Sequence, residues 1–184
     1  NHAGTLKLTA LEGLVAAEGT ISGAARNGNN AADPALRNGS IDIRAGTLAD
    51  FVALNRKLTE NGITEKRSFV IKTGDLVIGD EVKARHVSIA ADGGDLTIIG
   101  RIDASGAKPG SIRLSARDDL TLASTAVLDA RGSALQVDSY GAPIEATNRA
   151  TVELTSAGGT LRLESGATID LASPDKVSRG RIEL

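Results

Sequence analysis

Cysteine, methionine and tryptophan are absent from this chain, and tyrosine occurs once. Without cysteine there is no disulfide and no thiolate metal site to reason from. Two phenylalanines and one tyrosine leave aromatics at 2%, so any interior must be filled by Val, Ile, Leu and Ala. The two histidines, His2 at the terminus and His86 at the start of an apolar run, read as surface residues rather than catalysts. No stretch approaches the length of a membrane span and no signal peptide is seen. The 21 basic and 23 acidic residues are scattered, with a formal net charge of -2. That argues against nucleic acid, whose footprint needs clustered Lys and Arg. Nucleophile, H-E-x-x-H, P-loop and dinucleotide motifs are also missing, so neither an enzyme nor a cofactor is expected.

What the chain has in quantity is glycine, 21 residues, and a motif that returns. Gly110-Ser111-Ile112-Arg113-Leu114-Ser115 is echoed at Gly4–Thr9, Gly39–Arg44, Arg85–Ala90, Ala150–Thr155 and Gly180–Leu184. Aliphatic residues sit two apart with polar residues between them, which is the strand period. A second aliphatic pair follows each copy: Leu76/Ile78, Leu96/Ile98, Leu120/Leu122 and Leu161/Leu163. A third element carries one aliphatic, at Gly19–Ser22, Gly100–Asp103, Ala126–Asp129 and Ala167–Asp170. Gly, Asp, Asn and Ser between elements supply tight corners, and the Asp118-Asp119 pair is read as capping one of them. A unit this short cannot bury its apolar face alone, so repetition implies stacking.

The expected fold is therefore all-β: one single-stranded parallel β-helix over residues 1–184, three short strands to a coil. First-strand aliphatics begin at Leu6, Ile41, Phe69, Val87, Ile112, Val152 and Ile182, spaced 35, 28, 18, 25, 40 and 30 residues apart, which gives six to seven coils. These seven are expected to form one inner column, and Leu96, Leu120 and Leu161 a second. The outward column of the first strand then reads Lys7, Asp42, Val70, Ser88, Arg113, Glu153, Glu183, which places Lys7 beside Asp42 and Arg113 beside Glu153. It is too mixed for the regular threonine face of an ice-binding protein. Three insertions interrupt the coils: a loop at 26–38, a helix at 48–61 and a loop at 135–149. The helix is drawn from Leu48, Phe51, Val52 and Leu58 at helical spacing, with Thr47 as cap and Gly62 as stop.

Few residues offer chemistry. Tyr140 in the 135–149 loop is a candidate for stacking on a sugar, with loop packing as the competing account. Asp103, Asp129 and Asp170 occupy equivalent third-strand places. Stacked, they form a calcium column, the carboxylates of a glycan hydrolase or, more plainly, carboxylates bonded to corner amides and to Arg101, Arg131 and similar neighbours. The G-G-x-G-x-D calcium repeat is missing.

The runs Gly100–Gly106, Gly110–Ala116, Asp119–Leu122 and Ala126–Ala130 resemble the repeats of filamentous haemagglutinin-like surface proteins. The resemblance covers residues 4–184 and implies a right-handed β-helix, secreted across the outer membrane by a partner pore (two-partner secretion) and displayed or released as an adhesin. The Asn-Pro-Asn motifs of that family's secretion domain are absent, which points to the fibre shaft. On this reading the protein is a structural segment of a secreted or cell-surface fibre. Its expected partners are copies or further segments of the same protein end to end, a host or bacterial surface glycan, and the outer-membrane transporter during export. Neither end carries a capping helix, and the chain opens at Asn1, so an excised or processed piece is expected. The alternative is a β-helical carbohydrate-active or carbohydrate-binding protein.

Overall fold

The computed structural model describes residues 2–26, 36–173 and 181–183. The chain enters through two long strands, β1 (Thr5–Val15) and β2 (Ser40–Leu48), and a helix, α1 (Phe51–Glu60). Four strand triplets follow. They are β3 (Lys66–Ile71), β4 (Leu76–Ile78) and β5 (Val82–Lys83); then β6 (His86–Ala91), β7 (Leu96–Ile98) and β8 (Arg101–Asp103). Next come β9 (Ser111–Ala116), β10 (Leu120–Leu122) and β11 (Val127–Asp129), and then β12 (Thr151–Ser156), β13 (Leu161–Leu163) and β14 (Thr168–Asp170). A last strand, β15 (Arg181–Glu183), closes the order.

Each strand pairs with the strand at the same place in the next triplet, so the sheets are parallel. One sheet of seven runs β1-β2-β3-β6-β9-β12-β15, and two sheets of four run β4-β7-β10-β13 and β5-β8-β11-β14. Their buried side chains belong to one apolar cluster, built almost wholly from Ile, Leu, Val and Ala. The fold is thus all-β, parallel and solenoid-like, as the strand-period repeats imply. Most of the expected loop at 26–38, namely 27–35, lies outside the described residues, as do Gly180 and Leu184 of the last motif.

The second expected column is present as Leu76–Leu96–Leu120–Leu161. The first is present with one correction. Leu6, Ile41, Val87, Ile112, Val152 and Ile182 are in register, but Arg67 and not Phe69 stands between Ile41 and Val87. Phe69 lies two residues on, between Ile43 and Ile89. The outward column shifts with it: Ser68, not Val70, stands between Asp42 and Ser88. The cause is that β3 carries a charged residue where the pattern calls for an aliphatic, so reading aliphatics alone slips the strand by one period of two.

Arg67 is fully buried. Its Nε donates to the Ile63 carbonyl at 2.7 Å, its Nη1 to Asn55 Oδ1 at 2.6 Å, and its Nη2 to Thr59 Oγ1 at 3.0 Å. These acceptors are neutral, and burial pulls the guanidinium pKa down to about 10, so it stays charged at pH 7. Two of the acceptors come from α1, so this side chain ties the helix to the strand beneath it. Asn55, itself buried, passes the connection on by donating to the Glu81 carbonyl at 2.6 Å.

The helix is shorter than expected, 51–60 and not 48–61. Asp50 caps it, its Oδ1 accepting from the Ala53 amide at 2.9 Å, while Thr47 and Leu48 remain in β2. A carboxylate in the N-cap position satisfies an otherwise orphaned amide. Phe51, Leu54 and Leu58 face the core, whereas Val52 is exposed. Phe51 and Phe69, the chain's two phenylalanines, meet edge to face with ring centroids 5.1 Å apart. The helix stops at Gly62 (φ +74), where a Cβ would come within 2.7 Å of Ala24 backbone atoms. Lys57 ties the preceding segment to the helix, its Nζ donating to the carbonyls of Ala17, Glu18 and Gly19 at 2.7–3.0 Å. The proposed third-strand element Gly19–Ser22 forms no strand; that sheet begins at β5.

Corners are built by aspartates that point along the stack. Asp75 Oδ1 accepts from the Asp95 amide at 2.9 Å, Asp95 Oδ1 from the Asp119 amide at 2.9 Å, and Asp119 Oδ1 from the Thr160 amide at 2.6 Å. Gly94 and Gly159 make room, since a Cβ at either would sit 2.3 Å from the carboxylate below. Asp119 thus caps a corner, as expected.

Two substitutions probe this architecture. Ile112→Asp places an unpaired carboxylate in the inner column and is expected to cost about 3 kcal/mol or more in denaturant unfolding; a midpoint equal to wild type would put Ile112 outside the core. Arg67→Ala removes the donor to three acceptors and opens a cavity, with an expected cost of about 3–5 kcal/mol. Hydrogen exchange should then accelerate first in α1, and unchanged protection there would show that Arg67 does not hold the helix.

Candidate functional site

Asp103, Asp129 and Asp170 stand one above another, in register along β8, β11 and β14. Each closes its own corner by accepting from the amide two residues on: Ser105 at 3.0 Å, Arg131 at 3.3 Å and Ala172 at 2.9 Å. The remaining oxygens face cations. Lys83 Nζ lies 3.3 Å from Asp103, Arg101 Nη2 2.5 Å from Asp129, and Arg131 bridges Asp129 at 2.9 Å and Asp170 at 3.3 Å. Stacked acids and interleaved bases form one alternating ladder. Among the described residues no group of three or more acidic or histidine side chains is arranged to hold a metal ion.

Burial opposes ionisation of Asp103, but hydrogen bonds from the Ser105 hydroxyl and amide and the charge of Lys83 outweigh it and hold its pKa below the ordinary value. The hydrogen bond to Asp129, then its charge and that of Asp170, raise the Arg131 guanidinium pKa.

Tyr140 is 94% exposed at the tip of the 135–149 loop. Asp138 Oδ1 forms the turn by accepting from the amides of Tyr140 and Ala142 at 2.8 and 2.9 Å, and Gly141 takes φ +82. Buried Asn148 pins the loop, donating to the carbonyls of Gln136 and Ile144 at 2.7 and 2.8 Å. The tyrosine ring is therefore presented on a tied loop, apart from the aspartate ladder.

A concave surface on the outer face of the first sheet joins neither. Outward residues of β3, β6, β9 and β12 form two neighbouring columns, Lys66–His86–Ser111–Thr151 and Ser68–Ser88–Arg113–Glu153. Serines at 68, 88 and 111 are short and their neighbours Lys66, His86 and Arg113 are long, so a trough of about 330 Å³ opens between the columns. His86 Nδ1 and Ser111 Oγ share a hydrogen bond at 2.9 Å. Arg113 holds Glu153 across the strands, with Nε at 2.8 Å and Nη2 at 2.7 Å, as the expected pairing requires. Lys7 is likewise in register with Asp42, although the ion pair of Asp42 is with Arg44 at 3.8 Å.

Desolvation, then the charge of Arg85, lowers the His86 pKa, against the opposing pull of Glu65. The imidazole is neutral at pH 7 and can both donate and accept. Hydroxyls, a neutral imidazole and fixed cations make a wall suited to a polar, hydroxyl-rich ligand. Inspecting residues singly hides this trough, because it arises from strands 20 to 40 residues apart. The available signal is the recurrence of serine at outward positions beside a long basic residue.

Two measurements check these charges. Asp103 lies lower in the folded than in the unfolded chain, so its contribution is present above the ordinary value of 3.8 and lost as pH falls below it. Asp103→Asn should therefore destabilise at about pH 7 and approach wild type near about pH 2; a gap independent of pH would contradict the assignment. NMR titration of the His86 ring should give a midpoint below 6.5, and a midpoint at or above it would refute its partial burial among cations.

The chain matches no family model, no curated protein and no solved structure, so its geometry alone carries the functional reading.

Proposed function

We propose that this chain is a structural segment of a secreted or surface-displayed fibre, with its strands wound as a single right-handed parallel β-helix of the filamentous haemagglutinin-like kind. The observation that carries this reading is in-register repetition. Equivalent strands of four successive triplets pair in register in three parallel sheets, so the same positions recur in each tier. Seven strands at about 4.8 Å make a stiff rod roughly 30 Å long. A solenoid of this kind gains stability mainly from neighbour-on-neighbour contact and suits projection or coating rather than enclosure of a substrate.

Both edge strands of the described seven-stranded sheet expose residues of the inner column, Leu6 at 36% and Ile182 at 48%. Such edges are covered in other repeat arrays by further strands. The partner in this reading is parallel β-structure of the same kind, from a copy or another segment, stacked end to end. Export through an outer-membrane pore belongs to the same proposal.

Sedimentation and electron microscopy of the segment test it. Association into end-to-end rods as concentration rises is the expected outcome, and a strictly monomeric particle at high concentration would remove the reading.

A second reading, a carbohydrate-binding β-solenoid, is favoured by the trough at His86, Ser111 and Arg113. A glycan array should then show binding that falls about tenfold or more in Arg113→Ala, the loss expected when a charge-assisted hydrogen bond is removed. Absence of binding to any glycan would leave the fibre reading alone.

A further inference from the structure

A second, smaller cavity lies at the corner leading from β8 back to the first sheet. It has a volume of about 260 Å³ and is lined by Arg37, Glu65, Arg85 and the Ser105–Lys108 segment. Three basic residues, Arg37, Arg85 and Lys108, line it with one acidic residue, Glu65. Glu65 answers only weakly, with Oε1 3.5 Å from Arg85 Nη1.

Arg85 is held in place by its backbone. Its amide donates to the Thr64 carbonyl at 2.9 Å and its carbonyl accepts from the Ser111 amide at 2.9 Å. Gly110 permits this packing, since a Cβ there would lie 2.3 Å from the Arg85 carbonyl. The Arg85 side chain is 30% exposed, yet its Nε is buried with no hydrogen-bond partner. A buried N–H without an acceptor carries a desolvation cost. The Nε–Nη2 edge of a guanidinium is the fork that takes a carboxylate, sulfate or phosphate through two parallel hydrogen bonds.

We propose that this cavity is an oxyanion site, taking the carboxylate, sulfate or phosphate of a small acidic molecule the size of a single acidic sugar residue. Excess positive charge supplies the attraction and Arg85 the geometry, with its guanidinium turning slightly to bring the orphaned Nε–H onto the ligand. Lys108, on the exposed rim, adds charge without a fixed direction. The volume lies below the roughly 300–1,000 Å³ common for drug-sized ligands, which limits the occupant to one small acidic group and its immediate carrier. The site is separate from the trough and does not depend on the fibre reading.

NMR of the isotope-labelled chain tests the proposal, following the Arg85 Nε–H signal and the amides of residues 105–108. Inorganic sulfate, inorganic phosphate and glucuronate are titrated at constant ionic strength, with chloride as the reference. Saturable shifts at these positions with at least one oxyanion, and none with chloride, are expected; the arm that saturates at the lowest concentration identifies the class. Arg85→Lys keeps the charge and removes the fork, and should weaken that arm by about tenfold or more. Lys108→Gln, at an exposed position, should weaken it a few-fold without changing the fold, and decides the matter if Arg85→Lys does not fold. Linear shifts without saturation, or equal affinity in either variant, would mean general screening by a basic surface and overturn the proposal.

Discussion

Parallel, in-register pairing sets the terms for everything else in this molecule. When a strand pairs with its counterpart in the next triplet, each side chain stands over the residue at the same position one tier away. Inner positions accept only groups that stack in a dry column, so Ile, Leu, Val and Ala recur there. Like charges stacked at equivalent positions repel. The aspartates at 103, 129 and 170 would repel if stacked alone, and the chain interleaves Lys83, Arg101 and Arg131 so that each carboxylate faces a cation. The corner aspartates 75, 95 and 119 meet the same constraint differently, each giving an oxygen to a backbone amide of the next tier.

Arg67 shows what the constraint permits at its limit. A guanidinium in an inner column costs desolvation, and an ion pair there would have to offset two such penalties. The solution here uses neutral acceptors, the Ile63 carbonyl, Asn55 and Thr59, at 2.6–3.0 Å. Because two of them sit on α1, the same hydrogen bonds that make the charge tolerable also orient the helix over the core. The link runs from one charged residue in a strand pattern, through packing, to the placement of the only α-helix among the described residues. Repeat stacks tolerate side decoration of this kind because stability is set locally, by each tier on its neighbours.

With the interior filled, chemistry is left to the surface. The first sheet offers a trough because serine recurs beside longer basic residues, and the corner after β8 offers a cavity because two turns bring Arg37, Arg85 and Lys108 together. Both carry charged side chains, and neither is lined by Phe or Tyr. Tyr140 is held away from both on a loop tied by Asn148.

Much of this was legible in the residues alone. The period-two aliphatics at Ile112/Leu114, Leu120/Leu122 and Val152/Leu154 specify strands, and their recurrence specifies parallel stacking, since a short strand cannot bury its face otherwise. The equivalent places of Asp103, Asp129 and Asp170 were likewise readable, because position in the repeat is position in space. Register at β3 was not. Phe69 looked like the next member of the column, and only the folded structure shows that Arg67 belongs there, because its neutral acceptors lie 4 to 12 residues back, on α1 and the connection that follows it. The helix boundaries were blurred for a related reason: Thr47 and Asp50 both cap in principle, and continuation of β2 through Leu48 decides between them. The cavity at Arg85 was invisible, since its walls come from residues 36–37, 65, 85 and 105–108, which no local pattern connects. Period and composition act along the chain and determine which face is buried; charges and hydrogen bonds that meet across tiers depend on distances that only the folded stack creates.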